Sequence, residues 1–374
     1  MTKAKKLPVL SPSIHTFEMV GEYSKYELNF PIFESIKKLV NEGKYRQIHY
    51  NGATENCYTY KRIGGGLKIK LSSYPKHRKY YITLSGVNLA RIAGEPSRLA
   101  LTELSPCGLA CQEEIFLEEL ENLGILGVEK FITWKMKRVD ITQDFYVKSD
   151  PTLLMKVVRH AGKVEPYRKG HEDHHDQHNE MRSCTFRRDA YDFELYDKHE
   201  QLSAEEEKGY PIRSEDIAAS KNLVRYEIQL KRKYLKDFKR KNLDCMGDTL
   251  RNHALLYYFE ELGKAIPAIL YQCAYEMFGA HPWYHASGAL EQLNESDLDK
   301  ETQKLLRSYI EVANKANEPV KFSYRKKKQI KAALDVLEIN TVIIPDRILN
   351  KRQYARFPVA PIYSRVQGID NEGT

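Results

Sequence analysis

The chain is expected to be an α+β protein, an antiparallel-rich sheet with helices on one face followed by a mainly helical C-terminal region, and three observations predict it. Short apolar-polar alternations recur between residues 13 and 233, as they do in strands that bury one side only. Helical patterns fall among these runs at irregular intervals, and some strands follow each other as hairpins, which argues against a regular doubly wound sheet. From about residue 245 the alternation gives way to helical spacing.

Taken in order, "SIHTFEMVG" (13–21) predicts a first strand, and "PIFESIKKLVNEG" (31–43) places Phe33, Ile36 and Val40 on one helical face before a glycine stop. "YTYKRIGGGLKIKLSSY" (58–74) reads as two strands joined at Gly64, Gly65 and Gly66. "RKYYITLSG" (78–86) is a strand, "QEEIFLEELENLG" (112–124) a helix and "FITWKMKRVDITQDFYV" (131–147) a long strand. "SDPTLLMKVVRHAG" (149–162) has a helix start at Asp150-Pro151 and a glycine end. The strand around "DFELYDKHE" (192–200) follows, then an acidic linker or short helix over 201–221 and the strand "NLVRYEIQLKRK" (222–233). "DTLRNHALLYYFEELGKA" (248–265) and "KETQKLLRSYIEVANKA" (300–316) are helical. The expected division is a catalytic domain over 1–243 and a helical region over 244–374, the latter a candidate DNA-binding unit.

Of the 374 residues 42% are hydrophobic, enough for a substantial core. No run approaches the roughly 20 apolar residues of a membrane span, and "MTKAKKLPVLSPS" lacks the apolar segment of a secretory signal. The expected compartment is the cytoplasm, of a bacterial host given the resemblance described below, and six scattered cysteines suit a reducing one. Cys107 and Cys111 form the one close pair, without the second pair that a structural zinc site requires.

The net charge is +8, and its cations come in runs with aromatics interleaved: "YPKHRKYY" (74–81), "LKRKYLKDFKRKN" (230–242), "YRKKKQIK" (324–331) and "KRQYARF" (351–357). Phosphates attract such cations and unpaired bases stack on aromatic rings, so nucleic acid is the expected partner. Arg138, Arg225, Lys231, Arg232, Lys233, Arg325, Lys326, Lys327 and Lys328 are the candidate DNA contacts.

Alternation also assembles a reactive face. Val139 and Ile141 point one way and Arg138, Asp140, Thr142 and Asp144 the other; Val224, Tyr226, Ile228 and Leu230 oppose Arg225, Glu227 and Gln229; Phe193 and Leu195 oppose Glu194, Tyr196 and Lys198. A sheet covered on one side would carry Asp140, Glu194, Glu227 and Tyr196 on its open side. Carboxylates on adjacent strands are hard ligands suited to Mg2+ or Mn2+, and Asp140, Glu227 and Glu194 are the candidate metal ligands. A tyrosine beside them is a candidate nucleophile. Only about one phenol in a thousand is ionised at neutral pH, and Lys198 is placed to raise that fraction.

The ordered set "RVDIT", "DFELYDKHEQL" and "NLVRYEIQLKRKYLKDF" resembles the gene II/X family of replication initiators of filamentous phages and related plasmids, most strongly over residues 136–240. The resemblance implies a nickase-like fold and rolling-circle initiation. Such an enzyme nicks the origin strand of supercoiled double-stranded DNA, stays joined to the 5′ end through tyrosine and leaves a 3′-OH for the host helicase and polymerase. It later cuts and rejoins the displaced single strand. The family's nucleophile falls on Tyr196 and its basic neighbour on Lys198, with acidic positions on Asp140 and Glu227. The alternative is a non-catalytic DNA-binding regulator that keeps the fold.

Two features depart from the family pattern. Its early Gln-Gly-His-Asn segment corresponds here to "TLSGVNLARIAG" (83–94), which has no histidine, and no His-hydrophobic-His triplet occurs anywhere. "GHEDHHDQHNE" (170–180) would place His171, His174, His175 and His178 on one face of a helix, but without apolar residues it is expected to be a solvated loop. Tyr226 is expected in the core and Tyr191 is a second, weaker nucleophile candidate. Helices near 300–316 and 325–337 would suit either a helix-turn-helix unit that reads duplex DNA or a helical cap on the catalytic sheet.

Overall fold

A computed structural model describes residues 12–24, 31–48, 57–62, 68–74, 79–87, 135–147, 170–175, 181–241, 261–278, 281–315 and 322–347, with scattered positions between 97 and 158. The turn at 64–66, most of the helix expected over 112–124, Cys107, Cys111, His178 and the basic run at 351–357 lie outside the described residues.

The described strands are β1 (Ser13–Ser24), β2 (Tyr45–Ile48), β3 (Cys57–Arg62), β4 (Lys68–Tyr74), β5 (Lys79–Val87), β6 (Lys135–Tyr146), β7 (Gly170–His175), β8 (Met181–Arg187), β9 (Tyr191–Asp197) and β10 (Leu223–Lys231). They form one sheet in the order β2-β3-β4-β5-β1-β6-β10-β9-β8-β7, and every paired neighbour is antiparallel. The described helices are α1 (Pro31–Asn41), α2 (Lys198–Glu207), α3 (Ser214–Ser220), α4 (Arg232–Lys241), α5 (Gly263–Phe278), α6 (Ala286–Asn294), α7 (Lys300–Asn314) and α8 (Tyr324–Val336). The molecule is therefore α+β, with the sheet antiparallel as the hairpins and alternations foretold.

One face of the sheet makes the main core. Phe17, Ile82, Leu84, Val139, Ile141, Phe193, Leu195, Tyr226 and Ile228 are fully buried there, and Leu235 of α4 with Ile266, Leu270 and Met277 of α5 pack onto them. Phe193 sits between Phe186 and Tyr226, with ring centroids 5.6 and 4.9 Å away. The Tyr226 hydroxyl donates to the Leu270 carbonyl at 2.8 Å, so this core tyrosine is satisfied without water. Helix α5 follows residue 243 in sequence, yet its apolar side chains belong to the core of the sheet.

A second cluster unites α6, α7 and α8 through Ala289, Leu293, Leu306, Tyr309, Ile310, Ile330 and Leu334. Asp299 caps α7 by accepting from the Glu301 and Thr302 amides, and Ser323 caps α8 by accepting from Lys326. The two helices anticipated near 300–316 and 325–337 thus start where capping chemistry places them. The segment 170–175 differs from expectation. It is strand β7, paired with β8, and so neither a loop nor the helix in which the histidines would share a face.

The other sheet face was expected to be open, and it is largely buried. Asp140, Thr142, Asp144 and Arg225 are at 0% exposure. Alternation reports which residues share a face; it does not report whether charges on that face neutralise one another well enough to be covered.

Candidate active site

Four strands from distant parts of the sequence build the site. Register sets Glu227 opposite Glu194 and Arg225 opposite Tyr196 on the β10–β9 pair, and Glu227 opposite Thr142 and Gln229 opposite Asp140 on the β10–β6 pair. Strand β1 lies on the far side of β6, with Thr16 opposite Asp140. His15, Thr16, Asp140, Glu194, Tyr196, Glu227 and Gln229 line a pocket of about 420 Å3, which Arg225 and Thr142 do not reach. Arg182 of β8 and Glu200 and Gln201 of α2 also line it.

The Tyr196 hydroxyl donates to Glu227 Oε2 at 3.3 Å, and the same oxygen lies 3.0 Å from His15 Nδ1. Gln229 Nε2 donates to Glu194 Oε2 at 3.1 Å and to Glu227 Oε1 at 3.3 Å. Thr16 donates to Asp140 Oδ2, while Asp140 Oδ1 is 2.9 Å from Arg138 Nε in an ion contact out of line for a hydrogen bond. Across the strand pair from Tyr196, Arg225 Nε and Nη2 each donate to Asp144 at 2.6 Å, a bidentate pair with both side chains fully buried.

The charges on this face do not titrate alike. Burial would raise Glu227, but the His15 hydrogen bond and charge, Arg225 and the Gln229 amide outweigh it and bring Glu227 to about 2. Burial and the Glu227 charge push Asp140 up to about 7, and burial, Glu227 and Asp140 push Glu194 up to about 8. One carboxylate therefore stays ionised and its two neighbours hold protons near neutrality, as like charges in one pocket require. Burial and Arg225 lower His15 despite Glu227 beside it. Burial, and then Glu227, raise Tyr196 well above an ordinary phenol, against the opposing charge of Arg225.

Protons bound more tightly by the native carboxyls than by the unfolded ones stabilise the fold at low pH, and this contribution fades as pH rises through the native values. Asp140 at about 7 and Glu194 at about 8 set that window between ordinary carboxyl titration and about pH 8. Urea midpoints of the wild type are expected to fall from pH 5 to pH 8, and those of Glu194→Gln to fall less. Equal slopes for the two proteins would remove Glu194 as the source.

The structure brings Tyr196, Asp140, Glu194 and Glu227 together as anticipated, and alters three expectations. Strand β9 ends at Asp197, whose side chain caps α2 by accepting from the His199 and Glu200 amides. Lys198 is consequently the first residue of α2 and does not continue the face of Tyr196 along the strand. Its ammonium donates to Gln201 Oε1 at 2.7 Å and lies 6.0 Å from the centre of the Tyr196 ring. Burial, then Arg225, lower Lys198 to about 7. Second, Arg225 is not a DNA contact: it is fully buried and committed to Asp144. Third, Tyr191 lies with Phe193 on the core side of β9, and its hydroxyl donates to Glu276 Oε2 of α5 at 2.6 Å. It has no place beside Tyr196 as a nucleophile.

The remaining cations fall in different surroundings. Lys231 donates to Asp192 Oδ1 at 2.6 Å and to the Arg188 carbonyl at 2.8 Å. Arg232 and Lys233 open α4 and are exposed, as are Arg325, Lys326 and Lys328 at the start of α8, where Lys327 is half-buried.

His15 is the residue in contact with Glu227 that sequence reasoning missed, as it missed Arg182, Glu200 and Gln201 in the pocket lining. Its signal was its position between Ile14 and Phe17, both buried, in a strand noted only for apolar alternation. Among the described residues no group of three or more His, Cys, Asp or Glu side chains is already arranged as a metal shell. The donor types nonetheless fit a hard divalent cation: burial first, and then the Glu227 charge, make Asp140 and Glu194 hold protons, and a cation would take over the role of those protons. A family model that describes the N-terminal part of the phage replication-associated gene II protein matches residues 39–252. No curated protein matches the chain.

Proposed function

Because the chain belongs to the replication-associated gene II protein family of phage replication initiators, origin DNA is its partner, and we propose that it nicks the origin strand by attack of Tyr196 on a phosphodiester. The observation that carries this reading is the hydrogen bond of Tyr196 to an ionised, buried Glu227 that His15 also holds. The Tyr196 oxygen forms a bond to phosphorus, the bond from phosphorus to O3′ breaks, and the products are a 3′-OH and a 5′-phosphotyrosyl link. The phenol proton is released to solvent, since Glu227, held at about 2, cannot keep it, and the departing O3′ takes up a proton from solvent or from a neighbouring acid. Reversal with the 3′-OH of the displaced strand rejoins it, which makes the protein a strand transferase.

Geometry gives each side chain a role in that step. Glu227 accepts from Tyr196 and fixes the direction of its hydroxyl, while its own pKa of about 2 leaves it too weak a base to hold the phenol proton. Burial disfavours the phenolate, so the free protein keeps Tyr196 protonated and unreactive. Arg225 opposes that penalty from the neighbouring strand, and Lys198, when protonated, does so from beside the ring. Mg2+ or Mn2+, held by Asp140, Glu227 and Glu194, would polarise the phosphodiester and offset its developing charge. Arg325, Lys326, Lys327 and Lys328 on α8 are proposed to contact the origin duplex, with Lys231, Arg232, Lys233 and Arg138 nearer the sheet. The 3′-OH would pass to the host helicase and polymerase.

The test incubates the protein with supercoiled DNA of its own replicon and Mn2+ or Mg2+, then digests the product and maps the modified peptide by mass spectrometry. A nucleotide on the peptide that contains Tyr196 supports the reading. Nicked circles with free 5′ phosphates would point to water as nucleophile, and intact circles under both metals would leave a DNA-binding regulator. In parallel, each cation is expected to raise the urea midpoint more at pH 8 than at pH 6, because it competes with the protons on Asp140 and Glu194.

A further inference from the structure

The reactive face of the sheet continues beyond the site. A cavity of about 540 Å3 lies across β1, β4, β5 and β6, lined by Lys70, Tyr81, Lys135, Lys137 and Arg232, with one carboxylate, Glu22. Ile69, Leu71, Ile82 and Leu84 are buried on the core face of β4 and β5, so Lys70, Tyr81 and Thr83 between them belong to the opposite face. A register shift where β1 meets β6, between Glu18 and Met19, leaves Lys137 as an extra residue. Consecutive Lys137 and Arg138 then serve the same face: Lys137 reaches Thr83 Oγ1 at 3.3 Å and Glu18 at 3.5 Å, while Arg138 meets Asp140. Lys137 lines the groove and Arg138 lines the pocket of Tyr196, so the two cavities abut.

We propose that this groove binds the single-stranded DNA that flanks the scissile phosphate, an assignment that rests on the nickase reading for its role in catalysis. Charge selects the ligand. Lys137 is paired with Glu18, whereas among the described residues no carboxylate lies within ion-pair distance of Lys70, Lys135 or Arg232. Those three cations outnumber Glu22 and match a chain of phosphates. Tyr81, with the half-buried Val20 also in the lining, offers a surface for unpaired bases. Bases in a duplex have no free faces to present to it, which favours the separated strand.

The test measures binding of the full-length protein to fluorescent oligothymidylates by anisotropy, in EDTA so that no strand is cut. A short probe of about 6 nucleotides is compared with one of about 20, longer than a single typical binding fold covers. The wild type is expected to bind the longer probe more tightly, and Lys70→Ala/Lys135→Ala to lose that gain. The slope of log affinity against log salt should shrink by about 1.4, two contacts at roughly 0.7 each for single strands. Tyr81→Leu should weaken binding by about tenfold, the scale of one lost stacking contact, and keep the slope.

Lys38→Ala/Lys208→Ala removes the same charge outside the groove and should change neither quantity. Lys70 and Lys135 are exposed, and unchanged melting of their variant excludes misfolding. An unchanged slope in that variant, an equal loss in the control pair, or wild-type preference for a duplex of the same length would each overturn the proposal. Absence of a covalent product in the nicking experiment would sink the nickase and leave this binding result standing.

Discussion

Tyr196→Phe is expected to abolish the covalent 5′ product, a loss of at least about a thousandfold given that among the described residues no other tyrosine lines the pocket. The substitution is close to silent structurally. Tyr196 is buried and its hydroxyl makes one hydrogen bond, 3.3 Å to Glu227. Its loss leaves Glu227 still held by His15 and Gln229, so a cost of about 1 kcal/mol is expected from the missing bond. Binding of origin DNA should therefore survive while adduct formation vanishes in a denaturing gel. Adduct that persists in the variant would move the nucleophile elsewhere, and Tyr191 is a poor refuge because Glu276 holds it on the core side. A second variant sharpens the point. Glu227→Gln keeps the shape and removes the charged acceptor, and a fall of about 10- to 100-fold, the scale of one hydrogen bond to a charged group, with the adduct still on Tyr196 is the expected outcome.

Arg225→Met should cost stability heavily, about 3–5 kcal/mol, because it leaves the fully buried Asp144 carboxylate without its partner. Chemical denaturation would show this as a lower midpoint with an unchanged slope. The double variant Arg225→Met/Asp144→Leu separates two roles of the arginine. Replacing both members of a buried pair by apolar side chains is often nearly neutral, so stability should largely return. Catalysis should not return with it. Arg225 is the charge that counters the burial penalty on the Tyr196 phenolate, and the refolded double variant is expected to form adduct more slowly than the wild type at the same pH. Full recovery of both properties would reduce the pair to a structural device.

The sequence disclosed the site in proportion to how local its signals were. Period-two alternation placed Asp140, Glu194, Glu227 and Tyr196 on one face, and antiparallel register then set Glu227 directly across from Glu194. Lys198 was misplaced because a helix cap overrode the alternation. Asp197 accepts two amide hydrogen bonds, which ends the strand before Lys198 rather than carrying it on toward residue 200. Arg225 was misjudged for a different reason. Nothing on its own strand announces that Asp144, 81 residues away, will absorb its charge. His15 was hidden by greater distance still, since it meets Glu227 across 212 residues of chain. Pairings of that range are decided by the order of strands in the sheet, which propensity and spacing do not encode.

That strand order also has a temporal consequence. Strand β1 is the first of the described strands to leave the ribosome, yet it pairs with β5 and β6, so it must wait for residues up to Tyr146 before both of its edges are covered. The His15–Glu227 contact waits longer, until β10 has been translated. At synthesis rates of about 5–20 residues per second, the interval is on the order of ten seconds or more, during which a nascent chain holds unpaired strand edges and no working centre. An initiator assembled this way cannot cut DNA before β10 has left the ribosome.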